Sequence, residues 1–259
     1  MKEEIEKSIF DCVESENALF NSYNAWRQPL IGFIDAYDIR LNSLKRIVSK
    51  DHLLPHDILC DAKSVICFFV PFAREIGQSN IPNKISSEKW ALTYIRTNSL
   101  MAKISGVIET VMNKSGYSVG KIPATDNFDQ KTLISNWSHR HIAYLSGLGS
   151  FGINNMLITD SGCCGRLGSV VTNYPLEIMA KSSRERCINK INGKCGICIK
   201  RCVNNAFSDK KFNKFICHEM CLVNANLYKS IGNADVCGKC LVGLPCSYKD
   251  PSKSVDEVI

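Results

Sequence analysis

The sequence predicts an α/β (α+β) layer domain over residues 1–180, followed by a small cysteine-rich domain over residues 181–259. Three observations carry this. Ser64-Val-Ile-Cys-Phe-Phe-Val70 is continuously apolar and stops at Pro71, the pattern of a central strand buried on both faces. Residues 88–113 place Leu92, Ile95, Leu100, Ile104, Val107, Ile108 and Val111 on one helical stripe. Nine of the fourteen cysteines fall in the last 73 residues, where apolar periodicity gives way to Cys, Lys and Asn.

Taken in order, residues 5–25 carry Ile5, Ile9, Phe10, Val13 and Phe20 at helical spacing. Pro29 to Ile34 reads as a strand ending at Asp35, and Ile39 to Val48 as a helix. His52 to Asp57 reads as a loop broken by Pro55. Ser86 and Ser87 are candidate caps of the long helix, and Asn113 to Gly120 a turn. Thr132 to Ser146 is expected to be helical, with Gly147 as its left-handed stop. Met156-Leu-Ile-Thr159 and Ser169-Val-Val-Thr172 are expected to form a hairpin.

With 45% hydrophobic residues the chain can bury a core without disulfide staples. Its longest apolar run, Val65 to Val70, is far below the roughly 20 residues a membrane span needs. No secretory leader stands out, so a reducing, cytoplasmic setting is expected. The net charge of +7 lies wholly in residues 181–259, which carry 14 basic and 7 acidic side chains. A basic tail suits nucleic acid, but it also offsets anionic metal–thiolate groups, and Lys194, Lys200, Arg201 and Lys239 lie among the cysteines.

Cys195-x2-Cys198-x3-Cys202 and Cys237-x2-Cys240-x5-Cys246 suit iron–sulfur ligation, because C-x2-C offers two thiolates from a single turn. Two-cluster ferredoxins cross their ligands, three from one run and one from the other. Applied here, one 4Fe–4S cluster takes Cys187, Cys195, Cys198 and Cys246; the other takes Cys202, Cys237, Cys240 and Cys217, with Cys221 as the alternative to Cys217. A structural zinc on Cys195, Cys198, Cys237 and Cys240 would leave the remaining cysteines idle. Cys163 and Cys164 read as a turn with a buried thiol, and Cys12, Cys60 and Cys67 as small core residues.

Gly147-Leu-Gly149-Ser-Phe-Gly152 satisfies G-x-G-x-x-G, but the pattern predicts a helix before it and a strand after it, the reverse of a dinucleotide fold. It reads as a tight turn or a loop that approaches a planar ligand. His139 and His141 leave different sides of a helix, so they do not share a metal; either could bond a cofactor. Asp126 and Asp129 are candidate proton donors.

The stretch from Trp137 to Pro175, with Gly147-Leu-Gly-Ser-Phe-Gly-Ile-Asn-Asn-Met-Leu-Ile158, Cys195-Gly-Ile-Cys-Ile-Lys-Arg-Cys202 and Cys237-Gly-Lys-Cys240, resembles the epoxyqueuosine reductase family and its shorter iron–sulfur relatives. Pro29 to Asp35 and His52 to Phe72 look like that shorter branch. The resemblance implies a nitroreductase-like, cobalamin-binding N-terminal domain and a ferredoxin-like domain with two 4Fe–4S clusters. It places His139, His141, Gly147, Gly149, Gly152 and Asn154 near a corrin ring. The chain departs from the common two-cluster ferredoxin run in Val203 after Cys202, where proline is usual, and from the family in lacking its helical repeats and in Ile153-Asn154 where Lys-Asn is common.

Three functions are compatible with these features. The first is an iron–sulfur oxidoreductase, fed by a low-potential donor of ferredoxin or flavodoxin type, that passes single electrons to a cofactor or substrate in its N-terminal domain, with a corrinoid the favoured acceptor. The second is an electron-transfer or reactivating partner of a separate corrinoid protein. The third is an epoxyqueuosine reductase acting on tRNA without the repeat region.

Overall fold

The structure is a computed structural model that describes residues 1–19, 24–124, 128–177, 184–208 and 211–253. The chain divides into two compact units, each built from separate stretches of sequence. The first comprises residues 1–70, 98–148 and 165–183. The second comprises 71–97, 149–164 and 184–259. The cysteine-rich tail is therefore one part of a unit that also takes in two earlier segments. The compositional boundary near residue 180 lies close to one of the junctions, at 183/184.

In the first unit, α1 (Lys2–Ala18) buries Ile5, Ile9 and Val13, one residue per turn on one face. The helix stops earlier than its apolar pattern suggests. Asn17 Oδ1 accepts from the N–H groups of Ala25 and Trp26, and Asn17 Nδ2 donates to the Trp26 carbonyl, so the returning chain is tied to the helix end. Phe20, part of the expected stripe, lies outside the described residues.

The main sheet has the order β1 (Leu30–Asp35), β2 (Ser64–Pro71), β8 (Gly165–Thr172), β3 (Val119–Lys121). Every residue of β2 is buried, which explains its unbroken apolar run. β1 pairs antiparallel with β2, Phe33 opposite Ile66, and β3 pairs antiparallel with β8, Val119 opposite Thr172. Between β1 and β2 run a 3₁₀ turn (Ile39–Ser43), α2 (Leu44–Ile47) and α3 (Pro55–Ile58). In α3, Pro55 opens a helical turn rather than breaking one, since its missing N–H is not needed there; Asp57 accepts from the Leu54 N–H at 2.8 Å. Cys60, expected in the core, is exposed in the turn that follows, whereas Cys67 is buried in β2 and Cys12 is half-buried.

The expected helix over 132–146 is shorter. Phe128–Asp129 (β4) and Ile134–Ser135 (β5) form a small hairpin, and α6 begins only at His139 and runs to Leu145. Leu133 closes the hairpin at φ +51°, a conformation no helix interior allows. Gly147 then stops the chain at φ +77°, the left-handed position the sequence assigns to it.

In the second unit, α4 (Arg74–Ser79) precedes α5 (Glu88–Lys114), which contributes its first turns here and its remainder to the first unit. Ser87 caps α5 through Oγ, which accepts from the Trp90 N–H at 3.1 Å. β6 (Gly149–Phe151) pairs antiparallel with β7 (Leu157–Thr159). The expected hairpin between 156–159 and 169–172 does not form. β8 instead joins the main sheet, where Val170 and Val171 are fully buried, while β7 takes the adjacent β6 as its partner. The tail adds α7 (Ile188–Asn192), α8 (Ile197–Lys200), the short pair β9 (Phe207–Ser208) and β10 (Lys211–Phe212), α9 (Lys214–Leu227) and a 3₁₀ turn at Lys239–Leu241.

Candidate metal centre

Four cysteines of the second unit line one recess, and others stand near the 237–240 loop. Cys187 is the N-cap residue of α7, a helix that Gly193 ends at φ +73°. Cys195 follows, Cys198 sits in the first turn of α8 and Cys202 lies just past its end, so one helical turn presents all three. Cys187, Cys195, Cys198 and Cys246 line a single narrow recess, walled by Gly152, Ile153, Ile158, Ile197, Leu244 and Pro245. These walls are apolar; Cys187 and Cys198 are buried, and Cys195 and Cys246 are partly exposed. Burial, followed by the nearby charge of Cys246, Cys187 and Cys195, pushes the Cys198 thiol up to about 12.

The second group is centred on Cys237-Gly238-Lys239-Cys240. Burial first, then the negative charge of Cys217, Cys237, Cys202 and Cys198, holds the Cys240 thiol well above its ordinary range. Cys237 is raised chiefly by burial and then by Cys217 and Cys202. Cys202, Cys217 and Cys237 thus lie near enough to Cys240 for their charge to act on its thiol. Cys217 and Cys221 lie one turn apart on α9; hydrogen bonding to Cys217, then burial, raises Cys221 strongly. Among the described residues, no three His, Cys, Asp or Glu side chains converge closely enough to hold a single metal ion.

A tetrahedral zinc at about 2.3 Å from each sulfur would draw its ligands tightly together. An iron–sulfur cube holds its thiolates further apart around a larger body, and thiolates suit iron. The four cysteines that line the apolar recess are the thiolate donor set such a cube takes. Four neighbouring thiols repel one another once ionised, and a cationic iron core reverses that sign.

Neighbouring groups fix the ligands. Glu185 Oε1 accepts from the N–H groups of Arg186 and Cys187, each at 2.9 Å, and from Ser150 Oγ at 3.1 Å. The Ala206 N–H donates to Cys202 Sγ at 3.2 Å. Cys163 lies beside the first group, its Sγ 4.0 Å from Cys246 Sγ, and its N–H donates to the Cys246 carbonyl at 2.9 Å. Cys164 is buried alongside.

The 237–240 loop is held by a segment in which the sequence marked only Ser86, and that as a helix cap. Asn80 Nδ2 and Ser86 Oγ both donate to the Cys237 carbonyl, at 2.9 and 3.0 Å. Lys239, 1% exposed, donates through Nζ to the carbonyls of Asn80 and Pro82, each at 2.8 Å. Trp90 covers Gly238, where a Cβ would come within 2.1 Å of Trp90 Cζ2. Gly238 also sits at φ +71°, so glycine is required twice over. No local motif marks Asn80 or Trp90; the only hint is a large amphipathic ring at the start of a helix.

The remaining candidates are dispersed. Asn154 lines the cysteine recess with Gly152, and its Nδ2 donates to the Cys240 carbonyl at 2.8 Å. Gly149 begins β6, while Gly147 ends the α6 turn in the other unit. His139 is buried between Ser169 Oγ, 2.8 Å from Nδ1, and the Pro123 carbonyl, 3.2 Å from Nε2. Trp137 Nε1 donates to the same Ser169 oxygen at 3.0 Å, so Ser169 gives its proton to Nδ1 and His139 is the neutral Nε2–H form. Burial lowers its pKa to about 4. His141 bonds Ser138 Oγ at 2.8 Å and is also lowered to about 4, by burial and then by Arg140.

Asp129 lies on the rim of a cavity of about 890 Å³ in the first unit, shared with Asp51, Leu53, Lys121 and Phe128. Its carboxylate accepts from the N–H groups of Lys131 and Thr132 and from Thr132 Oγ1. These bonds lower its pKa and make it an ionised turn anchor. Asp126 lies outside the described residues.

No family profile and no curated protein sequence matches the chain. Solved structures do match. The epoxyqueuosine reductase from Streptococcus thermophilus superposes with a TM-score of 0.56 at 16% identity, over 95% of this chain and 69% of that one. A selenomethionine-labelled epoxyqueuosine reductase matches with a TM-score of 0.53 at 15% identity, over 94% of this chain and 66% of that one. A reductive dehalogenase, whose structure suggests a mechanism for B12-dependent dehalogenation, matches with a TM-score of 0.60 at 15% identity, over 88% of this chain and 32% of that one. The chain thus spans about two thirds of the reductases and a third of the dehalogenase. Its fold is the one shared by epoxyqueuosine reductases and these dehalogenases.

Proposed function

We propose that this chain is an iron–sulfur oxidoreductase that holds two 4Fe–4S clusters and delivers single electrons to a corrinoid. One observation carries the proposal: Cys187, Cys195, Cys198 and Cys246, far apart in sequence, line one apolar recess, which is what the first of two crossed sets requires; Cys202, Cys217, Cys237 and Cys240 are assigned to the second. Clusters of this type supply low-potential, one-electron reduction. The chain's own residues supply the setting. Ile153, Ile158, Ile197 and Leu244 wall the first set. The Ala206 N–H stabilises charge on Cys202. Glu185 orients the backbone at Cys187.

Support for a corrinoid acceptor comes from the fold shared with a dehalogenase whose chemistry is described as B12-dependent. The donor we assign is a low-potential carrier of ferredoxin or flavodoxin type. On α9, which bears Cys217, Phe215, Leu222, Val223 and Leu227 stand about half exposed, with Lys211, Lys214 and Lys229 nearby in sequence. That apolar, cationic face suits an acidic carrier.

Anaerobic reconstitution, with iron and sulfide assays and absorption spectra with and without cobalamin, tests the reading. About eight irons per chain and a base-off cobalamin shift are expected. Four irons or fewer sinks the two-cluster reading. Full iron without cobalamin binding leaves the chain as an electron carrier to a separate corrinoid protein.

A further inference from the structure

Trp90 lies in the first turn of α5 and is 1% exposed, with Phe72 edge-on at 5.2 Å between ring centroids. Its Nε1–H is buried and has no hydrogen-bond partner among the described residues. Buried indole N–H groups ordinarily find an acceptor. The ring rests on Gly238: a Cβ there would lie 2.1 Å from Cζ2, 2.5 Å from Cε2 and 2.8 Å from Nε1. The N–H edge therefore meets the loop whose flanking residues are Cys237 and Cys240.

The carbonyls of that loop already have donors. Val236 and Cys237 accept from Ser86 Oγ, and Cys237 also from Asn80. Gly238 accepts from the Leu241 N–H, Lys239 from Arg201 Nε, and Cys240 from Asn154 Nδ2. Each of these carbonyls is already engaged once, and a cluster held by Cys237 and Cys240 would bring sulfur acceptors to the same loop.

We propose that the Trp90 Nε1–H donates to a sulfur of the cluster held by Cys202, Cys217, Cys237 and Cys240, and so raises the reduction potential of that cluster relative to its neighbour. This rests on the two-cluster reading. A hydrogen bond to cluster sulfur stabilises the extra negative charge of the reduced state, so the one-electron equilibrium moves toward reduction. Trp90 is a positioning residue here, acting on the potential and not on the substrate.

The test compares reconstituted wild type with Trp90→Phe by potentiometric titration followed by electron paramagnetic resonance. With eight irons retained, one cluster is expected to become about tenfold harder to reduce, about 59 mV for one electron, while the other is unmoved. Equal potentials at full iron overturn the proposal. Should the variant fail to fold, wild type carrying indole-¹⁵N tryptophan decides: nitrogen hyperfine coupling to one reduced cluster supports the bond, and its absence overturns it. A wild type that holds no cluster overturns this inference together with the two-cluster reading, and the iron assay alone reveals that case.

Discussion

Lys239 Nζ donates to the Asn80 carbonyl at 2.8 Å, across 159 positions of sequence, from a side chain between two cysteines. A second bond to the Pro82 carbonyl completes its anchorage. Burial lowers the ammonium's pKa, so the two carbonyls are what keep it tolerable there. Lys239→Met leaves both carbonyls without this donor, at about 1–3 kcal/mol. Thermal melting should show a fall of roughly 2–4 °C per kcal/mol. An unchanged melting temperature would refute the anchoring role.

Gly238→Ala combines a forbidden contact with Trp90 and a positive φ. The backbone cost alone is about 1–2 kcal/mol, and overpacking adds a similar amount. We expect purified iron to fall from about eight to about four per chain, because only the Cys237–Cys240 set is disturbed. Full iron in this variant would show that the loop can move away from the ring.

Cys217 and Cys221 are separable by substitution. Cys217→Ser should lose about four irons, whereas Cys221→Ser should retain the full complement. The reverse result would exchange their roles. Cys163→Ser is expected to keep both clusters, since its sulfur neighbours Cys246 without belonging to either set of four.

His139 gives a pH dependence. Its pKa is about 4 when folded and near 6.5 when exposed, so the unfolded chain binds more protons between those values. Stability is therefore fully present above pH 6.5, declines as pH falls toward 4, and then levels, by up to about 3 kcal/mol. Denaturant midpoints at pH 7 and pH 5 should differ less in His139→Gln than in wild type. An equal difference in both proteins would assign the acid sensitivity elsewhere.

What was legible in the sequence was local. β2 announces itself because residues 65–70, buried on both faces, are apolar without a break, and α5 because 27 residues repeat one apolar face. The cysteine spacings likewise express the geometry of single turns. The shortened α6 was not legible, because Leu133 and the Asp129 turn override helical propensity. Nor was the partner of β7, since Val170 and Val171 gain more from the main sheet than from a hairpin. The cradle of Asn80, Ser86 and Trp90 is invisible to any window, as Asn80 meets Cys237 across 157 positions.

The interleaving of the two cysteine sets bears on biogenesis. On the proposed two-cluster assignment, Cys202 groups with residues that follow it, while Cys187, Cys195 and Cys198 await Cys246. A growing polypeptide emerging from the ribosome would own no finished quartet until Cys240 had been added. Maturation machinery would then meet both quartets almost at once, and iron loading would follow translation instead of accompanying it.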